Sequence, residues 1–393
     1  MKLNHGIHLA YCTNVHRGET WAETFESLET FTLAIKRNLA PTNPFAIGLR
    51  LSARAARELS EPEALLRFQR WLDQHGCYVF TINGFPYGKF HGTRVKEQVY
   101  LPDWTSAERL AYTNLLFDLL ARLLPEGVEG SVSTAPCGFK PLISSQEQHK
   151  RMRKNLHEAA AHIAKLTRQT GRELHLGLEP EPGCVLETTA ETVEFFETLR
   201  AGFPADERIA RHLGVNYDAC HLAVEFEDAA TGLNALRSHG IRLSKLHLSS
   251  ALKVIMNSGR RSQLAAFADP VYFHQTMIRR DDGSTGFYFD LDEALREEAL
   301  EPGREAEWRV HFHVPLHSPP GGGLGNTSDH LLATLDWLAA SPGACRHLEI
   351  ETYTWEVLPP AMKSRALAEQ MIAEYQWTLR ALAQRELAPK LNL

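Results

Sequence analysis

The chain has 393 residues, of which 44% are hydrophobic and 23% are charged, and its formal net charge is −6. This balance is typical of a globular protein and excludes a disordered chain, a collagen-like repeat and a disulfide-stabilised miniprotein. The surplus of acidic residues argues against nucleic acid as a partner. Residues 1–11 lack the pattern of a signal peptide, and no apolar run is long enough to span a membrane, so we expect a cytoplasmic protein without membrane insertion.

Short apolar runs alternate along the chain with longer segments of helical periodicity. The runs predict nine strands, at residues 5–12, 45–51, 78–83, 130–135, 174–179, 212–218, 243–249, 310–314 and 347–352. The longer segments predict helices at residues 62–74, 106–124, 146–170, 190–201, 229–239 and 327–340. This alternation is typical of a parallel sheet covered by helices. Eight such units close into a (β/α)8 TIM barrel, the α/β fold that we expect as a single domain over residues 1–393.

Nine predicted strands are one more than a barrel needs. The surplus lies in a long interval after strand seven, which contains the predicted strand at residues 310–314. Two β-prone runs, at residues 273–280 and 286–291, flank Asp281-Asp282-Gly283-Ser284, and Asp-Gly between such runs is a strong hairpin signal. We therefore predict that residues 250–315 are an insertion containing a β-hairpin. Whether it is a lid or a dimer contact stays open, as does whether residues 310–314 are an extra strand or the return to the barrel mouth.

Polar residues end the later predicted strands, where the active sites of barrels lie. Glu179 ends strand five, Asp218 ends strand six, and His221 follows three residues later. Strand seven presents Lys245 and His247 on one face, because side chains alternate along a strand. Each residue has an ordinary alternative, such as an exposed glutamate, a helix-capping aspartate or a hydrogen-bonded core histidine.

The last predicted strand places Glu349 and Glu351 on its inward face. Two carboxylates inside a barrel are costly unless a cation or hydrogen bonds compensate them. Together with Glu179, Asp218 and His247, Glu351 completes a set of nitrogen and oxygen ligands without a thiolate. Such a set suits Zn²⁺, Mn²⁺, Co²⁺ or Fe²⁺ better than Ca²⁺. Whether Glu349 is also a ligand stays open.

A second histidine cluster is predicted from the segment that contains His311 and His313. The two rings share one face of an extended run, a spacing that suits metal binding but also an exposed edge strand. With His221 they form a second candidate site, for substrate or for a second ion.

Four motifs occur in an order that resembles the xylose-isomerase-like TIM-barrel superfamily. They are Leu-Glu-Pro-x-Pro at 178–182, Asn-x-Asp-x-x-His at 216–221, Leu-His-x-Ser at 246–249 and Ile-Glu-Thr at 350–352. That superfamily includes ketose 3-epimerases, hydroxypyruvate and rhamnose isomerases, and endonuclease IV repair enzymes. More narrowly, seven segments resemble EboE-type metabolite-traffic proteins, which are associated with making or exporting a small metabolite. These segments are 83–92, 135–141, 178–184, 216–228, 246–252, 311–316 and 348–359.

The resemblance to the epimerase branch implies roles for individual residues. It implies that a metal is held by Glu179, Asp218, His247 and Glu351. It also implies that His221 touches the substrate and that the two glutamates act as acid and base. Glu181 stands where hydride-shift isomerases have a lysine, which counts against an aldose–ketose hydride shift.

Three functional hypotheses follow. The first is a metal-dependent isomerase or epimerase of a small sugar, sugar phosphate or cyclitol-like polyol. In it, Glu179 and Glu351 exchange a proton while His221 and Lys245 stabilise the developing oxyanion. The second is a phosphate-ester hydrolase in which His311 and His313 help to hold two or three ions. The third is a barrel that binds a metabolite without catalysis. Substrate, metal identity and number, and a homodimeric state stay open.

Overall fold

The computed structural model describes residues 1–92, 95–298, 305–363 and 365–390. Its strands are β1 (His8–Tyr11), β2 (Phe45–Arg50), β3 (Cys77–Asn83), β4 (Gly130–Thr134), β5 (Leu174–Leu178), β6 (Leu213–Asp218), β7 (Arg242–Leu248), β8 (Ala251–Met256), β9 (Thr276–Arg280), β10 (Thr285–Tyr288), β11 (Ala306–His313), β12 (Gly325–Asn326) and β13 (His347–Ile350). Its helices are α1 (Trp21–Ser27), α2 (Leu33–Leu39), α3 (Ala53–Ser60), α4 (Pro62–His75), α5 (Ala107–Leu123), α6 (Gln146–Thr170), α7 (Thr189–Gly202), α8 (Glu207–His212), α9 (Ala219–Val224), α10 (Ala229–Ser238), α11 (Ser258–Ala265), α12 (Leu291–Glu297), α13 (Ser328–Ala340) and α14 (Leu367–Ala383).

Eight parallel strands form a nearly closed barrel, in the order β1-β13-β7-β6-β5-β4-β3-β2. The two end strands of this sheet approach each other through a single parallel bridge between Cys12 and Gly48. The predicted (β/α)8 TIM barrel is therefore confirmed. Because all eight strands run in the same direction, the residues that follow them gather at one end of the barrel.

The predicted elements all have counterparts close to the expected positions. The helix predicted at residues 146–170 is observed as α6 with the same bounds. Its ends follow from local chemistry, since Ser145 and Gln148 form a reciprocal capping box and Gly171 adopts the left-handed conformation that closes the last turn. Strand β8 was not predicted separately, because only two residues part it from β7 and the apolar pattern shows no boundary there.

The segment after β7 forms a second, antiparallel sheet in the order β10-β9-β11-β8-β12. The predicted hairpin is observed as β9 and β10, with Gly283 at φ +83° in the turn. Residues 310–314 largely belong to β11, a strand that pairs with both β8 and β9, so they are an added strand whose end returns to the barrel mouth. The sheet also includes β12, which lies beyond the predicted end of the insertion. Within the predicted insertion, residues 299–304 lie outside the described residues. A single domain over residues 1–393 stays a prediction.

No helix in the described part of the chain combines the length and the apolar composition needed to cross a membrane.

Helix α14 carries a buried carboxyl group, Glu374, whose titration should make stability depend on pH. Its Oε1 accepts hydrogen bonds from the Leu316 amide at 3.1 Å and the Thr352 hydroxyl at 3.0 Å, and its Oε2 has no partner. Burial raises the pKa of Glu374 to about 7. The folded state therefore holds a proton that the unfolded chain releases at lower pH, so stability falls as pH rises from about 4.5 to about 7.

We expect Glu374→Gln to remove this pH dependence. At pH 8 the variant should be more stable than the wild type, by at most about 3 kcal/mol, whereas at pH 4.5 the gain should vanish. Urea unfolding at both pH values measures the difference, and Glu126→Gln, at an exposed position, is the control. Equal effects of Glu374→Gln at the two pH values would contradict the expectation.

Candidate active site

The carboxyl ends of four barrel strands bring Glu179, Asp218, His247 and Glu351 together. One ligand atom of each lies within 4.8 Å of the others, and all four residues are buried. Glu179 follows β5 and its amide bonds the Thr134 carbonyl at 3.2 Å, while the Glu351 amide bonds the Leu248 carbonyl at 3.2 Å. The parallel ladder thus extends one residue past each strand and fixes both glutamates at the barrel mouth.

The ring of His247 lies at the centre of these acids. Its Nδ1 is 2.9 Å from Glu179 Oε1, 2.8 Å from Glu351 Oε2 and 3.4 Å from Asp218 Oδ2. Burial by itself would lower the pKa of His247, but the carboxylates of Glu351 and Glu179 raise it well above its usual value. Three buried carboxylates around one point require a positive charge there, and an imidazole nitrogen with three carboxylate oxygens fits a divalent transition metal.

Asp218 uses its two oxygens differently. Its Oδ1 accepts hydrogen bonds from the Cys220 amide at 2.7 Å, the His221 amide at 3.0 Å and the Ser249 hydroxyl at 2.7 Å. This oxygen caps α9, as the ordinary alternative for this residue predicted. Its Oδ2 is buried without a hydrogen-bond partner, which leaves it available as a ligand.

Glu349 contacts the opposite side of the His247 ring, where its Oε2 is 2.9 Å from Nε2. It lies outside the four-residue cluster, so its place is that of a group that orients the histidine and fixes its tautomer. The barrel wall leaves room for this carboxylate at Gly48, where a Cβ atom would lie 1.9 Å from Glu349 Oε1. This geometry favours an orienting role for Glu349 over that of a ligand.

Lys245 lies beneath the cluster, fully buried. Its Nζ donates to Glu349 Oε2 at 2.5 Å and to the Ser133 hydroxyl at 2.9 Å. Burial opposes its charge, but Glu349 holds the pKa of Lys245 above its usual value. Lys245 is not among the residues that line the cavity, and its ammonium group pairs with Glu349, so its stabilisation of a substrate oxyanion stays a prediction.

Removing the ammonium group of Lys245 should therefore lower the stability of the fold. We expect Lys245→Met to lower the free energy of unfolding by about 3–5 kcal/mol, because it leaves Glu349 as an uncompensated buried charge. The double variant Lys245→Met/Glu349→Gln should recover most of this loss. Urea unfolding in the presence of a chelator measures both, with Lys253→Met as the control, since Lys253 pairs with the exposed Asp329 and should cost under about 1 kcal/mol. A loss for Lys245→Met no larger than that of the control would contradict the expectation.

Two asparagines orient Glu351 from the first strands of the barrel. The Asn14 amide donates to Glu351 Oε1 at 2.7 Å, and the Asn83 amide approaches the same oxygen at 3.4 Å. Asn14 was not predicted as a site residue. It lies three residues after the end of β1, as His221 lies three residues after the end of β6, so the search for polar residues after strand ends could have found it if applied to the first strand.

A cavity of ≈ 560 Å³, open solvent included, lies above the cluster. Glu179 and Glu351 line it, together with Glu181, His221, His311 and Asn14. Most of its remaining wall is aromatic or apolar: Phe85, Pro86, Phe90, Val95, Val99, Tyr100, Tyr272, Phe273 and Tyr353. Tyr272, Phe273 and His311 come from the insertion, which thus contributes one wall of the cavity. Lys96 also lines it, and its ammonium group pairs with Asp290.

The structure brings His221, His311 and His313 together beside the first cluster. Asp218, His221 and His313 form one group of converging ligand atoms, and Glu181, His221 and His311 form another. His221 Nδ1 donates to the Pro180 carbonyl at 2.9 Å, and His313 Nδ1 donates to the Glu351 carbonyl at 3.0 Å. The Nε2 atoms of His311 and His313 are buried and have no partner.

A hydrogen-bonded chain fixes the His311 ring and reaches Glu181. The Gln275 amide nitrogen donates to the Pro182 carbonyl at 3.0 Å and to the Tyr100 hydroxyl at 2.9 Å, so its oxygen accepts from His311 Nδ1 at 2.8 Å. Tyr100 in turn donates to Glu181 Oε1 at 2.7 Å. Burial raises the pKa of Glu181 to about 7. The sequence offered no signal for Tyr100 or Gln275, which come from a loop and from the insertion.

Comparison with known proteins identifies the fold. No family model and no curated protein matches the sequence. Among solved structures, the IolI protein with a bound zinc atom is 12% identical, with coverage of 96% of this chain and 98% of that chain and a TM-score of 0.50. An L-ribulose 3-epimerase is 14% identical, with coverage of 98% and 96% and a TM-score of 0.50. A xylose isomerase-like TIM barrel protein from Mycobacterium smegmatis in complex with magnesium is 12% identical, with coverage of 90% and 88% and a TM-score of 0.48. These similarities show the fold: the chain is an α/β TIM barrel similar over nearly its whole length to IolI and to L-ribulose 3-epimerase.

Proposed function

We propose that the protein is a metal-dependent isomerase or epimerase of a small, unphosphorylated sugar or cyclitol-like polyol. The observation that carries this proposal is that Glu179 and Glu351 belong to the metal-binding cluster and also line the cavity. A substrate in the cavity would therefore meet two carboxylates and the bound cation at the same point. The zinc and the epimerase named for the structural neighbours support this choice.

The roles of the residues follow from their positions. A Zn²⁺, Mn²⁺, Co²⁺ or Fe²⁺ ion held by Glu179, Asp218, His247 and Glu351 would supply Lewis-acid polarisation of a substrate carbonyl. Glu179 and Glu351 approach the cavity floor from β5 and β13, so one can remove the proton next to the carbonyl and the other can return a proton. His221 lines the cavity, and its Nδ1 donates to the Pro180 carbonyl. Burial opposes a charge on this ring, but the nearby carboxylates, Asp218 first, raise the pKa of His221, so the protonated ring can also donate from Nε2 to the substrate oxygen that gains charge.

The cavity wall favours a polyol without a phosphate group. Aromatic side chains suit the C–H faces of a sugar or cyclitol ring, and the carboxylates suit its hydroxyl groups. Among the described residues, three acids line the cavity, and the one lining lysine, Lys96, already pairs with Asp290. A phosphate dianion would meet like charge beside the bound cation and, in the described part of the wall, no free lysine to pair with.

Solvent exchange tests the proposal directly. The metal-loaded protein is incubated in deuterated buffer with a panel of ketoses and inososes, each with and without a phosphate group. We expect deuterium at the carbon next to the carbonyl of one unphosphorylated compound, together with its epimer or isomer. A compound that binds without any exchange would contradict the proposal and favour a barrel that only binds a metabolite.

Metal-dependent hydrolysis of a phosphate ester is a second candidate. It is favoured by one observation, that the unpartnered Nε2 atoms of His311 and His313 lie next to Asp218 and His221, where a further ion could be held. Two neighbouring ions are the arrangement that activates water against a phosphate. Release of inorganic phosphate from the phosphorylated members of the panel would support it over isomerisation.

The narrower resemblance to EboE-type proteins supports a place in a pathway that makes or exports a small metabolite. A cytoplasmic location belongs to the same proposal.

A further inference from the structure

Three candidate metal ligands lie at the opposite end of the barrel from the cavity. Glu129 directly precedes β4, His175 is near the start of β5, and His347 begins β13. Their ligand atoms lie within 4.8 Å of one another, and Glu129 Oε2 is 3.7 Å from His175 Nε2. His175 is 2% exposed and His347 is 1% exposed. These residues take no part in the proposed reaction.

The hydrogen bonds of His347 leave a buried lone pair. The Ser131 hydroxyl donates to Thr81 Oγ1 at 2.8 Å, so the same oxygen accepts from His347 Nδ1 at 2.8 Å. With its proton on Nδ1, His347 has an unprotonated Nε2, and this atom is buried without a partner. A bond from the other ring nitrogen that fixes the tautomer is the usual support of a metal-binding histidine.

His175 presents the same feature more strongly, because both of its ring nitrogens are buried without a hydrogen bond. Burial lowers the pKa of His175 to about 4 and that of His347 well below its usual value, so both rings are neutral at pH 7. Neutral imidazole is the form that binds metals. Buried polar atoms without partners are rare in native proteins, and an ion is one of the explanations for them.

The charges around the cluster leave Glu129 as an anionic ligand. The His175 ring, whose Nε2 lies 3.7 Å from Glu129 Oε2, contributes most to lowering the pKa of Glu129 to about 2. Arg242 Nη2 is 2.9 Å from Glu129 Oε2, and Arg346 Nη1 is 4.0 Å from Oε1. Arg242 also lies 3.7 Å from Glu173, so part of its charge is compensated outside the cluster. The arginines orient the carboxylate from the solvent side, as partners of metal-bound carboxylates do.

From this arrangement we infer a second metal site, formed by Glu129, His175 and His347, that binds a zinc-like transition metal at the amino-terminal end of the barrel. Two imidazoles and one carboxylate are a ligand set that Zn²⁺ accepts, with water at the remaining position. An ion there would join strands β5 and β13, which are far apart in sequence, so we expect it to stabilise the fold. An ion that binds only the folded state stabilises it by mass action.

Cobalt titration tests this inference apart from the proposed function. The starting protein is the full chain with Glu179→Ala/His247→Ala, which disables the first cluster, and the probe is Co²⁺ followed by its visible absorbance. We expect this protein to bind about one equivalent of Co²⁺, Zn²⁺ to displace it, and Zn²⁺ to raise the melting temperature. Adding His175→Gln or His347→Gln should abolish the bound equivalent. Adding His212→Gln should not, since His212 is a buried histidine of the same region whose Nδ1 bonds the Leu174 carbonyl.

Two results would overturn the inference. One is a starting protein that stays folded by circular dichroism and binds no Co²⁺, and the other is an amount of bound Co²⁺ that both glutamine substitutions leave unchanged. If a variant fails to fold, anomalous diffraction from zinc-soaked wild-type crystals decides the question. A peak beside His347 Nε2 is expected, and crystals with zinc at the first cluster but none there would reject the second site. The proposed reaction would be unaffected by that outcome.

Discussion

Replacing Glu351 by glutamine should abolish turnover while leaving the fold intact. The variant removes a carboxylate that both lines the cavity and belongs to the metal cluster, so it removes the proposed acid or base. We expect kcat to fall by about 10²–10⁴-fold with the substrate identified by deuterium exchange. The change is nearly isosteric and relieves repulsion among buried acids, so the free energy of unfolding measured in chelator should not decrease.

The assay of this variant needs saturating metal, because Glu351 is also a candidate ligand. Loss of turnover at full metal occupancy assigns the defect to proton transfer, whereas loss that disappears on adding metal assigns it to metal binding. Glu356→Gln is the matched control. It changes the same kind of residue in the same segment, but Glu356 pairs with Arg17 outside the cavity. Normal turnover by Glu351→Gln would show that the proposed mechanism is wrong.

The double variant Glu179→Ala/His247→Ala should lose one transition-metal ion relative to the wild type. It removes the central imidazole and one of the three carboxylates that converge on it, and two remaining ligands are too few to hold the ion tightly. Elemental mass spectrometry of the purified proteins measures the difference. Glu197→Ala/His239→Ala is the control, because it removes the same two residue types from an exposed pair joined at 2.8 Å.

The number of ions lost separates the functional hypotheses. Loss of one ion favours isomerisation or epimerisation. Loss of two or three favours hydrolysis, since His221, His311 and His313 share Asp218 and the mouth of the barrel with the first cluster. A wild-type protein that contains no metal at this cluster and takes up none on titration would leave the binding barrel as the better hypothesis.

The sequence located the four residues of the first cluster because strand ends are a local property. Period-two alternation shows which side chains face inward, and the parallel arrangement brings all strand ends to one side. The same reasoning placed His221, His311 and His313 near the mouth. It also placed Lys245 on the inward face, but alternation does not give the depth of a side chain along the barrel axis, so the contact of Lys245 with Glu349 was not predicted.

The position of the insertion is a second feature that the sequence could not predict. Its hairpin was predicted from Asp-Gly between two β-prone runs, which is a contact between neighbours in sequence. Its position above the barrel depends on contacts between distant segments, so the aromatic wall supplied by Tyr272 and Phe273 could not be foreseen. The hydrogen bond from Asn14 to Glu351 joins residues at the two ends of the chain and is hidden for the same reason.

By itself the sequence determined the barrel, its strand ends and the residue types available there, because periodicity and capping are set by near neighbours. Only the tertiary structure decided that Glu349 supports His247 from behind, that Lys245 neutralises Glu349, and that Glu179 and Glu351 alone among the four clustered residues line the cavity. Those assignments depend on distances of a few ångströms between side chains from different strands. Such distances follow from the shear and closure of the whole barrel, which no local pattern contains.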